Sequence, residues 1–106
     1  MIKIEIFRNA TESIEEFQVN GHADAGAYGE DVVCAAVSAL TQTALLGLGK
    51  YLGRELDYRV ASADLHMKLK KLPDASTNAI LETMLLGLRE IATINPKSVQ
   101  ILEHRR

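Results

Sequence analysis

The chain contains a single cysteine, Cys34, and a histidine, His22, lies twelve positions before it. A thiolate is a strong nucleophile, and an imidazole beside it can take the thiol proton and later return it to a leaving amine. Together, a cysteine and a histidine are therefore the minimum set of side chains for nucleophilic attack on a carbonyl group. The residues between them form a loop short enough to fold back at a small entropic cost, but spacing alone does not establish that the two side chains meet.

Cys34 is predicted to lie at the edge of the apolar face of a helix that runs from about Glu30 to about Leu48. At about 100° per residue, Cys34 falls roughly 80° from the middle of that face. The helix dipole near the predicted start favours a thiolate, whereas the carboxylates of Glu30 and Asp31 oppose it and a protonated histidine nearby would restore it. A buried, unreactive cysteine and a reactive thiol both remain open. The residues of the predicted apolar face are Val33, Val37, Leu40, Ala44 and Leu48.

His22 follows Gly21 at the end of a predicted strand, and Gly26 and Gly29 separate it from the helix. Glycine allows backbone conformations closed to other residues, and it permits close approach of a peptide or ligand. Loops beside strand ends are places where a rigid scaffold presents functional side chains. We therefore predict a segment that is mobile in the free protein and closes over a bound peptide. The simpler interpretation, a flexible loop with a surface histidine, stays open.

Hydrophobic periodicity predicts the elements that must position these two residues. Alternation with a period of two predicts strands at 1–7, 14–20, 56–61, 65–70 and 98–103. Helical periodicity predicts the helix that carries Cys34 and a second helix that Pro73, Asp74 and Ser76 introduce and that Asn95 ends. The order ββαββαβ predicts an α+β fold, a two-layer sandwich in which two helices pack on one face of a mostly antiparallel sheet.

Composition limits the classes of protein to which the chain can belong. It has 106 residues and a formal net charge of −2, so we expect a single domain over residues 1–106, with no general attraction to nucleic acid or to an acidic membrane. One cysteine excludes an internal disulfide. The longest uninterrupted apolar stretch, Val32 to Val37, is far shorter than the roughly 20 residues that cross a bilayer. We expect a cytoplasmic protein with a free thiol, no cofactor and no metal.

The pattern G-H-A-x-x-G-x-x-G-x-D-x-V-C-A-A-V-S-A-L, at residues 21–40, resembles the signature of the ribosomal-processing cysteine proteases, the Prp family. The chain length, the N-terminal hairpin and the closing helix and strand are also similar to that family. The resemblance implies a cytosolic, homodimeric endopeptidase that removes a short N-terminal extension from the large-subunit ribosomal protein numbered twenty-seven. In that family the cleavage site has an aromatic residue before the scissile bond, a small residue after it, and lysines following.

By motif position, the resemblance implies that Cys34 is the nucleophile and His22 the general base. Asp31, Ser38 and Gln42 are candidates to orient His22 or to bind substrate, and Gly21 is a candidate for close approach of the peptide. The helical pattern does not choose among these candidates.

Two other function classes are compatible with the sequence. The first is a non-enzymatic ribosome- or RNA-associated binding module, which the basic strip at residues 66–71 would serve, although no aromatic residues interleave with it to stack on bases. The second is a thiol redox or metal protein, but a lone cysteine has no resolving partner, and one Cys–His pair is two ligands short of a structural zinc site. We expect His66 and His104 to be solvated on the polar sides of strands.

Overall fold

The computed structural model describes residues 1–22 and 28–106, with the side chains of 28–31 outside that description. Within it the predicted order ββαββαβ and the α+β class are confirmed. A short π-helical turn, Gly47–Tyr51, follows the first helix. The elements are β1 (Ile2–Arg8), β2 (Ile14–Asn20), α1 (Tyr28–Leu46), β3 (Leu56–Ala61), β4 (Asp64–Leu69), α2 (Ala75–Ile94) and β5 (Val99–Arg105).

The five strands form one mixed sheet in the order β3-β4-β2-β1-β5. The β1–β2, β2–β4 and β3–β4 pairs are antiparallel and the β1–β5 pair is parallel. Alternate side chains of β1, namely Ile2, Ile4 and Ile6, are at most 2% exposed. Across β2 and β4 the same layer continues with Phe17 and Met67, both fully buried. This layer packs with the apolar faces of α1 and α2, so both helices cover one face of the sheet.

The elements differ from prediction mainly at their ends. The α-helix ends at Leu46, and the π turn follows, in which the N–H of Leu52 donates to the carbonyl of Gly47 at 3.0 Å. A Cβ on Gly47 would lie 3.2 Å from Cδ1 of Ile80, so glycine permits close packing of this turn on α2. Strands β1 and β5 extend past their predicted ends because they pair with each other in parallel, from Ile2 with Val99 to Arg8 with Arg105.

The second helix begins as its sequence predicts. Asp74 caps it by accepting hydrogen bonds from the backbone N–H groups of Ser76 and Thr77, each at 3.0 Å. The Thr77 hydroxyl accepts in return from the N–H of Asp74 at 2.9 Å, which completes a capping box. At the other end, Asn95 follows the last helical residue and its side chain donates to the carbonyl of Ile91.

Within the described residues, one segment, Val32–Tyr51, is long and apolar enough to span a bilayer by length and composition alone. In the fold, Val33, Val37 and Leu48 of this segment are buried in the core, as is usual for the core-facing stripe of a helix. The count of uninterrupted apolar residues did not flag the segment because polar side chains interrupt the run.

At the end of β1 remote from Ile2, the guanidinium of Arg8 joins three elements. Arg8 is 7% exposed and donates to both carboxylate oxygens of Glu82 on α2, at 2.8 and 3.1 Å. It also donates to Glu103 on β5 at 3.0 Å and to the carbonyl of Glu12 at 2.7 Å. Hydrogen bonds from Arg89 and then Arg8 lower the pKa of Glu103 despite its partial burial.

We expect Arg8→Met to lower the free energy of unfolding by about 3 kcal/mol, because it leaves two carboxylates without their shared partner. Arg105→Met is the matched control, since the Arg105 side chain is 59% exposed beside Glu12 and such pairs contribute about 0–1 kcal/mol. Urea unfolding of both variants measures the difference. Folding lowers the pKa of Glu103. The ionised Glu103 carboxylate therefore stabilises the fold fully above its unfolded pKa, and this stabilisation is lost as the pH falls through the folded pKa. Equal losses in both variants at neutral pH would contradict this account.

Candidate active site

A cavity of about 290 Å³ lies between α1 and the strand ends that surround His22, and both His22 and Cys34 line it. We call it the His22–Cys34 cavity. The start of β1, the end of β2 and the turn between β3 and β4 form one wall, and α1 forms the other. The loop and the helix edge that carry the two residues of chemical interest therefore face one space.

The backbone on both sides of Gly21 is fixed by the sheet. Gly21 has φ +92°, a conformation that favours glycine, and its N–H donates to the carbonyl of Ala63 at 3.0 Å. A Cβ at this position would collide with the carbonyl oxygen of Met1. The amino group of Met1 donates to the carbonyl of His22 at 2.7 Å. These contacts attach the histidine backbone to the start of β1 and to the β3–β4 turn.

Cys34 is partly buried on α1 and packs against the hydrophobic core. Its neighbour Val33 is 6% exposed and Val37, one turn on, is 2% exposed, whereas Ser38 is exposed. Cys34 thus lies where the buried face of the helix meets the exposed face, which matches the predicted boundary position. A thiol at such an edge can contact a substrate bound beside the helix while the helix stays packed on the core.

Two of the three candidate orienting residues line the same cavity as His22 and Cys34. Ser38 and Gln42 are exposed and line the His22–Cys34 cavity. The side chain of Asp31 lies outside the described residues, as does the segment 23–27 with Gly26, for which we predicted closure over a peptide. We predicted Gly29 as the last residue of the loop, but it lies inside α1 because the helix begins at Tyr28.

The structure adds residues that sequence reasoning missed. Thr41 is buried and lines the cavity, and its hydroxyl donates to the carbonyl of Val37 at 2.8 Å. Ser62 of the β3–β4 turn and Asp64, the first residue of β4, line it as well. The carboxylate of Asp64 accepts from Arg59 at 2.8 and 3.2 Å, and this contact lowers the pKa of Asp64. No local pattern marks Ser62 or Asp64, because they reach the cavity only through the pairing of β4 with β2.

The other two histidines lie on the opposite, open face of the sheet. Nε2 of His66 lies 2.6 Å from a carboxylate oxygen of Glu16, and Nε2 of His104 lies 3.1 Å from Glu5. The His104 ring also stacks on Phe7 with centroids 4.8 Å apart. The expectation of simple solvation is wrong for His66, whose side chain is only 18% exposed. Both histidines make structural contacts away from the cavity.

Metal chemistry finds no further support in the described part of the chain, where no three histidine, cysteine or carboxylate side chains gather in a way that could hold an ion. The described residues that line the His22–Cys34 cavity carry a thiol, an imidazole, hydroxyls, an amide and a carboxylate that is paired with Arg59. This set suits nucleophilic attack on an acyl group with proton transfer by the imidazole.

Comparison with known proteins identifies the class. A family model for the cysteine protease Prp matches residues 1–100, so the chain belongs to the Prp family of cysteine proteases and is a peptide-bond hydrolase. The resemblance seen in residues 21–40 is thereby confirmed. Family membership overturns the two alternatives, a non-enzymatic binding module and a redox or metal protein.

Particular relatives agree in sequence and in fold. The ribosomal processing cysteine protease Prp of Staphylococcus aureus is 31% identical over 94 residues, which are 86% of this chain and 88% of the relative. A crystal structure of Prp from S. aureus in complex with a substrate peptide superposes with a TM-score of 0.88 at 24% identity, covering 97% of this chain and 99% of the other. A crystal structure from Streptococcus mutans has a TM-score of 0.85 at 26% identity, with 100% and 96% coverage.

Proposed function

We propose that this protease removes the N-terminal extension of a large-subunit ribosomal protein, the one numbered twenty-seven, during ribosome assembly in the cytoplasm. Cys34 is the nucleophile and His22 the general base. The observation that carries the proposal is that these two residues, twelve positions apart, line one cavity. The S. aureus relatives support the substrate, since they are ribosomal processing proteases, one in complex with a substrate peptide and one with a covalently linked product peptide.

In the proposed mechanism, His22 removes the proton from Cys34 and the Sγ electron pair forms a bond to the carbonyl carbon of the scissile peptide. The tetrahedral intermediate collapses, the C–N bond breaks, and the imidazolium gives its proton to the departing amine. A water molecule, deprotonated by the same imidazole, then attacks the thioester. This attack releases the carboxylate product and the free thiol, so the enzyme returns to its starting state.

The remaining predicted site residues have supporting roles in this proposal. Ser38 and Gln42 line the cavity from α1 and bind the peptide or orient the imidazole. Gly21 positions His22 because the backbone there cannot accept a Cβ. Asp31 follows the family motif as a candidate to orient His22 or to attract basic substrate residues.

Substrate selection should depend on aromatic burial more than on charge. Burying an apolar side chain stabilises a complex by roughly 1.5–3 kcal/mol, whereas an exposed ion pair contributes about 0–1 kcal/mol. We expect Ala in place of the aromatic residue before the scissile bond to lower kcat/KM about 10- to 100-fold. Neutralised lysines should lower kcat/KM a few-fold, and less at high salt. Mass spectrometry of the products, with kcat/KM at two ionic strengths, measures both effects.

Two outcomes of that peptide series would be informative against the proposal. If no peptide of the extension is cut, the extension is not the substrate. If neutralising the lysines causes the greater loss, charge and not aromatic burial selects the peptide.

We further propose that the enzyme is a homodimer, as the family resemblance implies. Two apolar side chains of α2 support it, since Leu86 is 61% exposed and Ile94 is 74% exposed. Surplus apolar surface of this kind favours association. We expect light scattering at micromolar concentration to give twice the 11.6 kDa chain mass, and Leu86→Lys with Ile94→Lys to shift the protein to monomer. A wild-type protein that scatters as an 11.6 kDa species would refute the dimer.

A further inference from the structure

Strand β3 forms one edge of the sheet, and its helix-side face is left open. Tyr58 is 60% exposed and Val60 is 48% exposed. Their partners on β4, Met67 and Leu65, are 0% and 6% exposed on the same face. The helix layer therefore covers β4 and stops short of β3. Apolar side chains at an exposed sheet edge are a liability unless something covers them.

One side of the β3 backbone is also open to hydrogen bonding. The N–H of Lys70 donates to the carbonyl of Glu55 at 3.3 Å, which makes 55 and 70 a hydrogen-bonded pair. Since bonding alternates along an antiparallel ladder, residues 57, 59 and 61 bond to β4, whereas 56, 58 and 60 direct their N–H and C=O groups outward. No described segment pairs with that side of β3. An extended peptide could hydrogen-bond there as an added strand.

Two cavities adjoin this strand. The His22–Cys34 cavity includes Val60. A second cavity of about 400 Å³ lies farther along β3, against the C-terminal end of α1, and we call it the β3 groove. Its apolar lining residues are Leu45, Leu46, Leu56 and Tyr58, together with Gly49.

The spacing of the two cavities fits an extended chain. From Cys34 to Leu45 there are eleven helical residues, or about 16 Å at 1.5 Å per residue. An extended peptide covers that distance in about five residues at roughly 3.3 Å each. A peptide with its scissile bond at Cys34 would therefore place a side chain four or five residues away in the β3 groove.

We propose that the β3 groove is an extended substrate subsite. It binds one arm of the cleaved peptide, which adds as a strand to the edge of β3 and inserts an apolar side chain four or five residues from the scissile bond. This inference rests on the proposed function of Cys34 and His22. Lys50 lines the groove, and so does Arg54, which pairs with Asp74. The positive charge of Lys50 disfavours the lysines that follow the cut, so the bound arm is the one before the scissile bond, which carries the aromatic residue and which we call the apolar arm.

Kinetics with matched variants and peptides test the subsite. Gly49→Leu should fill the groove, because a Cβ there would meet only Leu56, at an ordinary 3.6 Å. Tyr58→Thr removes one wall while keeping a residue that favours strands. Leu72→Ser is the control, since it removes an 83% exposed apolar side chain outside both cavities. The substrates are a fluorescent peptide of the ribosomal extension with six residues on each side of the cut, and two versions that keep only two residues on one side.

We expect wild-type kcat/KM to fall about 10- to 100-fold when the apolar arm is truncated. Gly49→Leu and Tyr58→Thr should lower kcat/KM of the long peptide by a similar factor, mainly through KM, and should have no further effect on the peptide that lacks the apolar arm. Leu72→Ser should match wild type throughout. Such non-additivity shows that the groove and the arm are in contact.

The subsite is contradicted if the variants cleave the long peptide as wild type does. It is also contradicted if they lower kcat/KM equally for all three peptides. It is also contradicted if the variants change only the mass seen by light scattering, since a second copy would then fill the groove. The proposed function fails in a different way, when wild type cleaves none of the peptides, and the subsite falls with it.

Discussion

Cys34→Ala is expected to reduce cleavage of the ribosomal extension peptide to the background rate, a loss on the order of 10⁴-fold or more. The reason is chemical, since the chain has one cysteine and no other thiol can form the acyl-enzyme. Cys34→Ser should be nearly as inactive, because a hydroxyl ionises far less readily than a thiol. The measurement is product formation followed by mass spectrometry over several hours.

The fold should survive these substitutions. Cys34 is only partly buried at the edge of the core, so Cys34→Ala should change the free energy of unfolding by no more than about 1 kcal/mol. Urea unfolding alongside the activity assay separates the two effects. Cleavage by Cys34→Ala at a rate comparable to wild type would show that the nucleophile lies elsewhere.

His22→Ala is expected to lower kcat about 10²- to 10⁴-fold, the usual contribution of a positioned general base. The backbone of His22 is fixed through Met1 and Gly21, so removing its side chain should leave the cavity in place. His104→Ala is the matched control, because that ring is 41% exposed on the opposite face of the sheet. The control should retain wild-type kcat.

Exogenous imidazole distinguishes a chemical role from a structural one. Imidazole in the millimolar range should restore part of the activity of His22→Ala, because the space left in the cavity can admit the missing base. It should do nothing for Cys34→Ala. A small loss of kcat in His22→Ala, within a few-fold of His104→Ala, would exclude His22 as the base.

Much of the fold is predictable because the determining patterns are local. The bounds of β2 are those that alternation predicts, and the stripe of α2 reads directly as helical periodicity. The buried members of that stripe include Leu81, Met84, Leu85 and Leu88. The edge position of Cys34 on α1 also follows from the rotation per residue alone.

Features that depend on distant pairing were not predictable. Arg8 meets Glu82 and Glu103, which lie 74 and 95 positions away, and nothing in the local sequence marks either partner. The contribution of Asp64 to the cavity depends on the pairing of β4 with β2, and the open edge at Tyr58 depends on the strand order. His66 was misjudged for the same reason, since its carboxylate partner Glu16 is 50 positions away.

The candidate site, like the fold, was predictable from the sequence only in part. The proposal that Cys34 and His22 carry the chemistry comes from residue type and from the family motif, because a motif records spacing. The shape of the cavity could not, because it needs the turn between β3 and β4 and the start of β1. The π turn after Leu46 was missed since glycines at 47 and 49 also suit an ordinary helix end.

The central claim is that Cys34 is the nucleophile, and stoichiometric alkylation tests it most directly. Because the chain has one cysteine, an iodoacetamide adduct that intact mass finds on wild type and not on Cys34→Ala is an adduct on Cys34. We expect cleavage of the extension peptide to fall in proportion to the alkylated fraction and to reach background when all protein carries the adduct. We also expect a saturating concentration of the peptide to slow the alkylation. Fully alkylated protein that still cleaves the peptide at the wild-type rate would contradict the account.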